Sequence, residues 1–198
     1  MANTNAPFGA RPVKHLSGGI ISPNKTGYTI ASGYGTNLFT GDFVDTSGTA
    51  TADGQGIVVA TAGDTNKILG VFAGCSYKDS AGAFVYNAMW PASTTATGIK
   101  AVVYDDPNLL FEMQSDATGI TAANIGLNVN FDADAGSSTT KLSAHVVDGS
   151  GTPATTATYQ LKLRAFSEDP ANDISSAAYC KVLVSINNHR LANAVVGA

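Results

Sequence analysis

The sequence predicts an all-β fold, a sandwich or barrel of short antiparallel strands with an extended N-terminal arm. Three observations lead there. About ten apolar runs of strand length recur at spacings of roughly 8–15 residues, bounded by Gly, Pro, Asn, Asp, Ser or Thr. No stretch sustains a 3.6-residue apolar period. At the centre, two period-two runs flank Asp105-Asp-Pro-Asn108. Proline fixes φ there, and Asp and Asn hydrogen-bond their own backbone, so the tetrad is a turn. Ile99, Ala101 and Val103 share one face before it, and Leu109, Phe111 and Met113 share one face after it. The stretch Ile99–Asp116 reads as a β-hairpin or a tight β-arch. Phe111 and either Val102 or Val103 belong in the core.

In chain order, residues 1–27 hold Pro7, Gly9, Pro12, Gly18, Gly19, Pro23 and Gly27, and no period survives that density of breakers. They read as an extended arm with strand pieces at 13–16 and 19–22. The arm carries Arg11, Lys14 and Lys25 and no acid. It either reaches a neighbouring subunit or is a loose terminus. With no face to bury on its own body, it is expected to contact another polypeptide. Residues 28–97 form a first β region, with strands at 28–31 and 38–44 around the glycine loop Ser32-Gly-Tyr-Gly35. A Thr/Ser/Gly/Asp turn region follows at 46–55, then strands at 56–60, 68–74, 82–86 and 89–90.

Residues 98–198 form a second region, a barrel or sandwich that is either separate from 28–97 or one domain with it. After the central turn, Thr121 opens one helical turn. Leu127, Val129 and Phe131 alternate inward, and Leu142, Ala144 and Val146 do so again beyond the loop 132–140. The last strands are Tyr159–Phe166 and Tyr179–Ile186. The second has only Lys181 as a nearby charge and reads as an edge that must be paired or covered.

Charged residues are 13% of the chain, about half the ~25% usual in soluble domains. Disordered chains are charged and poor in aliphatic residues, which argues against disorder. A surface so short of charge is expected to be covered by other subunits, although a neutral Thr/Ser surface on a free protein would look similar. The net charge of −4 argues against broad nucleic-acid contact, which takes clustered Lys and Arg. No apolar run approaches the ~20 residues of a membrane helix. The opening Met1–Phe8 has no signal-peptide core, so synthesis in the cytoplasm is expected. Neither nucleic acid nor membrane is an expected partner. Cys75 and Cys180 lie within apolar runs and read as buried free thiols, with a disulfide as the other option.

Nothing in the sequence assembles into a catalytic constellation. His15, His145 and His189 lack metal-ligand spacing. Asp105 and Asp106 are paired carboxylates by position, but the turn explains both. Asp132-Ala-Asp134 with Gly136 matches a calcium loop only in part, without its third acid, correctly placed glycine and terminal glutamate. Ser32-Gly-Tyr-Gly35 is followed by neither Lys-Ser/Thr nor a helix, so it is no phosphate loop. No catalytic, cofactor-binding or metal residue is assigned, no cofactor is expected, and the chain is expected not to be an enzyme.

Four blocks carry a resemblance that spans nearly the whole chain. They are Ala6-Pro-Phe-Gly-Ala-Arg-Pro-Val-Lys-His-Leu16, Ala62-Gly-Asp-Thr-Asn-Lys-Ile-Leu-Gly-Val71, Val103–Gln114 with Asn124-Ile-Gly-Leu-Asn128, and Val184-Ser-Ile-Asn-Asn-His189. Together they resemble a family of small tailed-phage virion proteins, the capsid cement or decoration proteins. The loops at 46–56 and 132–140 match nothing in it. The resemblance implies a non-enzymatic structural protein on the outer surface of an icosahedral capsid, stabilising it by bridging major capsid protein subunits. It also implies a homo-oligomer, a trimer by preference. The alternatives are another phage structural part, such as a head fibre base or tail protein, or a host-surface carbohydrate-binding β module. An exposed groove containing Trp90 and tyrosines would favour the last.

Overall fold

The computed structural model describes residues 3–151 and 153–192, and over them the chain is all-β. The strands are β1 (Arg11–His15), β2 (Gly27–Thr29), β3 (Leu38–Phe39), β4 (Phe43–Thr51), β5 (Gly54–Val59), β6 (Gly70–Lys78), β7 (Phe84–Asn87) and β8 (Met89–Trp90). They continue as β9 (Thr97–Tyr104), β10 (Leu109–Gln114), β11 (Asn128–Val129), β12 (Phe131–Asp132), β13 (Val146–Val147), β14 (Leu161–Phe166) and β15 (Lys181–Ile186). Ala122–Asn124 forms a single 3-10 turn, opened as expected by Thr121, whose N–H and hydroxyl both donate to Asn124 Oδ1 at 2.8 Å.

Two main sheets result. One runs β1-β10-β15-β14-β11 and is antiparallel throughout. The other runs β2-β5-β4-β6-β7, with β9 also on β6; its β2–β5 pair is parallel. Asn24 bridges Val103, and Thr29 Oγ1 donates to the Ile99 carbonyl at 2.8 Å. These bonds lay β2 and the segment before it against β9, so this sheet curls toward a barrel. The central stretch is the β-arch. β9 ends in one sheet and β10 begins in the other, so Asp105-Asp-Pro-Asn108 carries the chain between them. Asp106 Oδ1 accepts the Asn108 N–H at 2.8 Å and its carbonyl accepts the Leu109 N–H at 3.2 Å, closing the turn.

Each sheet encloses a core, and β4 and β6 are the wall between the two. Phe43, Ile68 and Val71 lie in one core with Phe111, Met113, Phe131 and Val184. Their sequence neighbours Val44, Leu69 and Phe72 lie in the other with Tyr77, Trp90, Ala101 and Val103. Successive strand residues point to opposite faces, so a strand buried on both sides must be apolar at every position. That is why Ile68-Leu-Gly-Val-Phe72 reads as an unbroken apolar run. Gly70 is needed within it, because a Cβ there would lie 2.2 Å from the Tyr104 carbonyl oxygen. Cys75 and Cys180 are buried free thiols, and Phe111 and Val103 are fully buried.

Four expectations are corrected. Residues 46–55 are a β-hairpin and not a loop, since β4 runs to Thr51 and β5 starts at Gly54. Its Thr and Ser content reflects exposure on both faces, and β-branched Thr suits an extended backbone. The alternation fails over 142–145, where Ser143 and His145 are buried while Leu142 is exposed; Val146 is buried as expected. The cause is hydrogen bonding, described below. β15 is no edge, because β10 and β14 flank it on both sides. Finally, the arm contacts its own body. β1 pairs with β10, and Ala10 enters a core. Gln114 Oε1 accepts the Ala6 N–H and its Nε2 donates to the Thr4 carbonyl, both at 2.9 Å. Asn3 Nδ2 donates to the Asp173, Ser176 and Ala178 carbonyls. Bonds from side-chain amides to distant backbone have no sequence period, so they left no trace in the pattern.

Candidate contact surface

The residues that the sequence raises for chemistry are tied into the scaffold. Asp105 Oδ2 accepts from Tyr28 Oη at 2.8 Å and from Asn24 Nδ2 at 3.1 Å, and Asp106 Oδ2 lies 3.0 Å from His15 Nε2. The two arch carboxylates thereby fasten the segment before β2 and the arm to the arch. The Asn108 N–H holds the Asp106 carboxyl below the usual range, with help from His15, while burial and then Asp105 push the Tyr28 hydroxyl up. In Ser32-Gly-Tyr-Gly35 the Ser32 hydroxyl accepts the Ala96 N–H and the Tyr34 hydroxyl accepts the Val59 N–H. His189 Nδ1 accepts the Leu191 N–H, and burial draws its imidazole down to about 4. Trp90 is fully buried, beside Tyr77 at 5.3 Å between ring centroids, so it lines no sugar-binding groove.

Asp42 and His145 form a buried polar pair against the Phe131 and Phe43 rings. Nε2 of His145 stands 3.5 Å from Asp42 Oδ1, and its Nδ1 accepts the Phe43 N–H at 3.2 Å. That bond places the imidazole proton on Nε2, toward the carboxylate. Asp42 Oδ2 accepts the Phe39 N–H at 2.7 Å, and Ser143 Oγ accepts the N–H of His145. Burial pushes Asp42 up to about 6, against the Phe39 and Ser143 hydrogen bonds, and pulls His145 down to about 4. With both residues about 3% exposed, the pair joins the loop before β4 to the segment before β13.

The structure does gather carboxylates around Asp132, though not in the order of the partial calcium loop. One oxygen each from Asp116, Asp132 and Asp148 falls within a 4.8 Å span. Burial, then Asp148, Asp116 and Asp134, push Asp132 up to about 6. Such a set has the chemistry of a hard-cation site. Asp116 accepts the Gly119 N–H of its own loop and the Ser150 N–H of the loop after β13, and Asp148 accepts the Gly151 N–H of its own. The three residues come from separate segments sixteen positions apart, Asp132 from the end of β12, beyond the reach of any local motif.

What the molecule presents outward is a sheet face. On β7-β6-β9, Tyr86, Ser76 and Lys100 lie in register across three strands, and Phe84 lies opposite Lys78. Directly opposed residues share a face, and the alternate positions Cys75, Tyr77, Ile99 and Ala101 are buried inward. Phe84 is 67% and Tyr86 83% exposed. The Lys78 ammonium sits 4.8 Å from the centroid of the Phe84 ring. Neither Lys78 nor Lys100 has a carboxylate within ion-pair distance among the described residues. Asp79 spends Oδ1 on the Ala81 and Ala83 N–H groups of the hairpin turn. Beyond β6, β7 pairs with no other strand among the described residues, so its outer edge is open. Aromatics at exposed alternate positions of a short strand carry no signal of their own in the sequence, where Gly82–Tyr86 reads as one more strand.

Among the described residues no helix is long and apolar enough to cross a membrane. No protein-family model, curated protein or solved structure matches the chain.

Proposed function

We propose that this chain is a non-enzymatic virion structural protein, a cement or decoration protein. It binds the outer surface of an icosahedral phage capsid and bridges subunits of the major capsid protein. The observation that carries the reading is the contrast between a committed interior and an uncommitted apolar exterior. Arch carboxylates, histidines and loop hydroxyls are engaged in scaffold bonds. Phe84, Tyr86 and Ile20 stand in solvent, with Leu16 and Val13 beside the β1 edge. Exposed apolar groups on a rigid, charge-poor body suit contact with other proteins. The four sequence blocks that resemble the phage family support the same reading. Many modest contacts repeated over a shell resist internal pressure collectively. The proposal includes closed self-association as a homotrimer, which covers neutral surface without extending into a fibre.

Cryo-electron density of the particle, with copy number from quantitative gels, tests it. Density outside the shell in a copy number matching shell symmetry is the expected result. A single-vertex location or absence from the shell overturns it. Sedimentation of the purified protein tests the trimer separately.

A further inference from the structure

We propose that the outer face of β7-β6-β9, with the open edge of β7, docks an extended acidic segment of the shell subunit. This rests on the shell reading above and names the surface that performs it. Two features select the occupant. The first is charge: the protein carries −4 overall, yet this face presents Lys78 and Lys100 without carboxylate neighbours, and the nearby Asp79 is turned into its own hairpin. A face positive on an acidic protein complements an anionic partner. The second is geometry. An unpaired strand edge recruits another strand through main-chain hydrogen bonds, and pockets or side chains on the flanking face choose the residues at alternate positions. A strand added beside Tyr86 and Phe84 lays alternate side chains against those rings, while Lys78 and Lys100, two and three strands away from it, attract its acidic groups through space.

Nucleic acid fits less well. Two lysines on a polyanion-repelling protein fall short of a phosphate-binding stripe, and the Phe84 ring already has the Lys78 ammonium over it. Set against the same face of a second copy, Lys78 and Lys100 meet like charge. An acidic strand of a different protein is what the face favours.

The test loads purified protein onto empty shells and measures occupancy by co-sedimentation. The variants are Lys78→Glu with Lys100→Glu and, separately, Tyr86→Ser, each checked by circular dichroism for an unchanged fold. Wild-type loading is expected to fall as salt rises from about 50 to about 500 mM. The charge reversal should lower affinity at least about tenfold, and Tyr86→Ser should lower it measurably. In hydrogen exchange on loaded shells, amides of residues 84–87 should slow. Folded variants that load like wild type, or unchanged exchange at 84–87, overturn this docking face while leaving the shell reading intact. Failure of the wild type to load at all overturns the shell reading itself. Two controls name the other occupants. If wild type, but not the variants, self-associates in sedimentation or binds an oligo-dT probe, the face belongs to a second copy or to nucleic acid, and the proposal is wrong.

Discussion

The two cores of this protein are built on opposite sides of the same strands but from different parts of the chain. The barrel core takes its buried residues from 28–103. The other core takes its residues from 10–186 and borrows Phe43, Ala60, Ile68 and Val71 from the barrel's own region. One is nearly local, and the other cannot exist without the first. What joins them is alternation: Phe43 and Val44, Ile68 and Leu69, Val71 and Phe72 each split between cores. The difference teaches that a strand read from sequence as "fully buried" can be a partition.

Breaking the partition from either side should therefore have the same large consequence. Phe43→Ala and Phe72→Ala each remove a fully buried ring and should cost about 3–5 kcal/mol. Phe111→Ala belongs to the same class. Because the wall is shared, urea melts followed by tryptophan fluorescence, which reports Trp90 in the barrel core, should coincide with melts followed by far-ultraviolet circular dichroism. Two separated transitions would show that the cores unfold independently and that the wall does not couple them.

A smaller loss is expected where β6 passes under the arch. A Cβ on Gly70 would press on the Tyr104 carbonyl and the Asp105 backbone, so Gly70→Ala should cost about 1–3 kcal/mol, the range for forced overpacking. Its effect should extend to the arm, because Asp105 and Asp106 hold Asn24, Tyr28 and His15. Faster hydrogen exchange across 11–29 in the variant would register that loosening; exchange confined to its wild-type rate would detach the arm from the arch.

The arch and strands were legible in the sequence because period two and turn chemistry are local. Ala101, Val103, Leu109, Phe111 and Met113 all point where alternation puts them. The arm and the segment 142–145 were not legible, for one physical reason. In both, hydrogen bonds from polar side chains override apolar pattern: Asn3 and Gln114 hold the arm, and Asp42 with His145 draws Ser143 and His145 inward past Leu142. The contact face was half legible. Its strands were readable, but exposure of Phe84 and Tyr86 depends on what lies beyond β7, and only topology gives that.

The Asp42–His145 pair tests the polar side of this account through pH. Asp42 is raised from 3.8 to about 6, so its contribution to stability is present below its unfolded value and lost as pH climbs through about 6. His145 is lowered from 6.5 to about 4, so its contribution is present above its unfolded value and lost as pH falls through about 4. Between these limits the two slopes oppose each other. Relative to wild type, Asp42→Asn should make stability rise more steeply with pH between about 4 and 6, and His145→Gln should make it fall. Denaturant midpoints at four pH values would decide it. Parallel profiles for all three proteins would mean that the pair does not titrate in that window.

The smallest expected effect on stability falls on the residue most like those with the largest. Phe84 and Phe72 are both phenylalanines in the barrel sheet, on adjacent strands, but Phe72 is fully buried and Phe84 is two-thirds exposed. Phe84→Ser removes little buried area and one exposed cation–π contact with Lys78, worth about 0.5–1 kcal/mol at such sites. Its thermal midpoint should sit within a few degrees of wild type, while Phe72→Ala melts far lower. A large loss on Phe84→Ser would mean that the ring is covered in the free protein, and the β7 face would then belong to the interior of an assembly already formed. A near-neutral result leaves a bulky ring in water that the fold does not need. A chain with only 13% charged residues has little charge to offset such a ring in solution, which is the cost that the contact proposed above would remove.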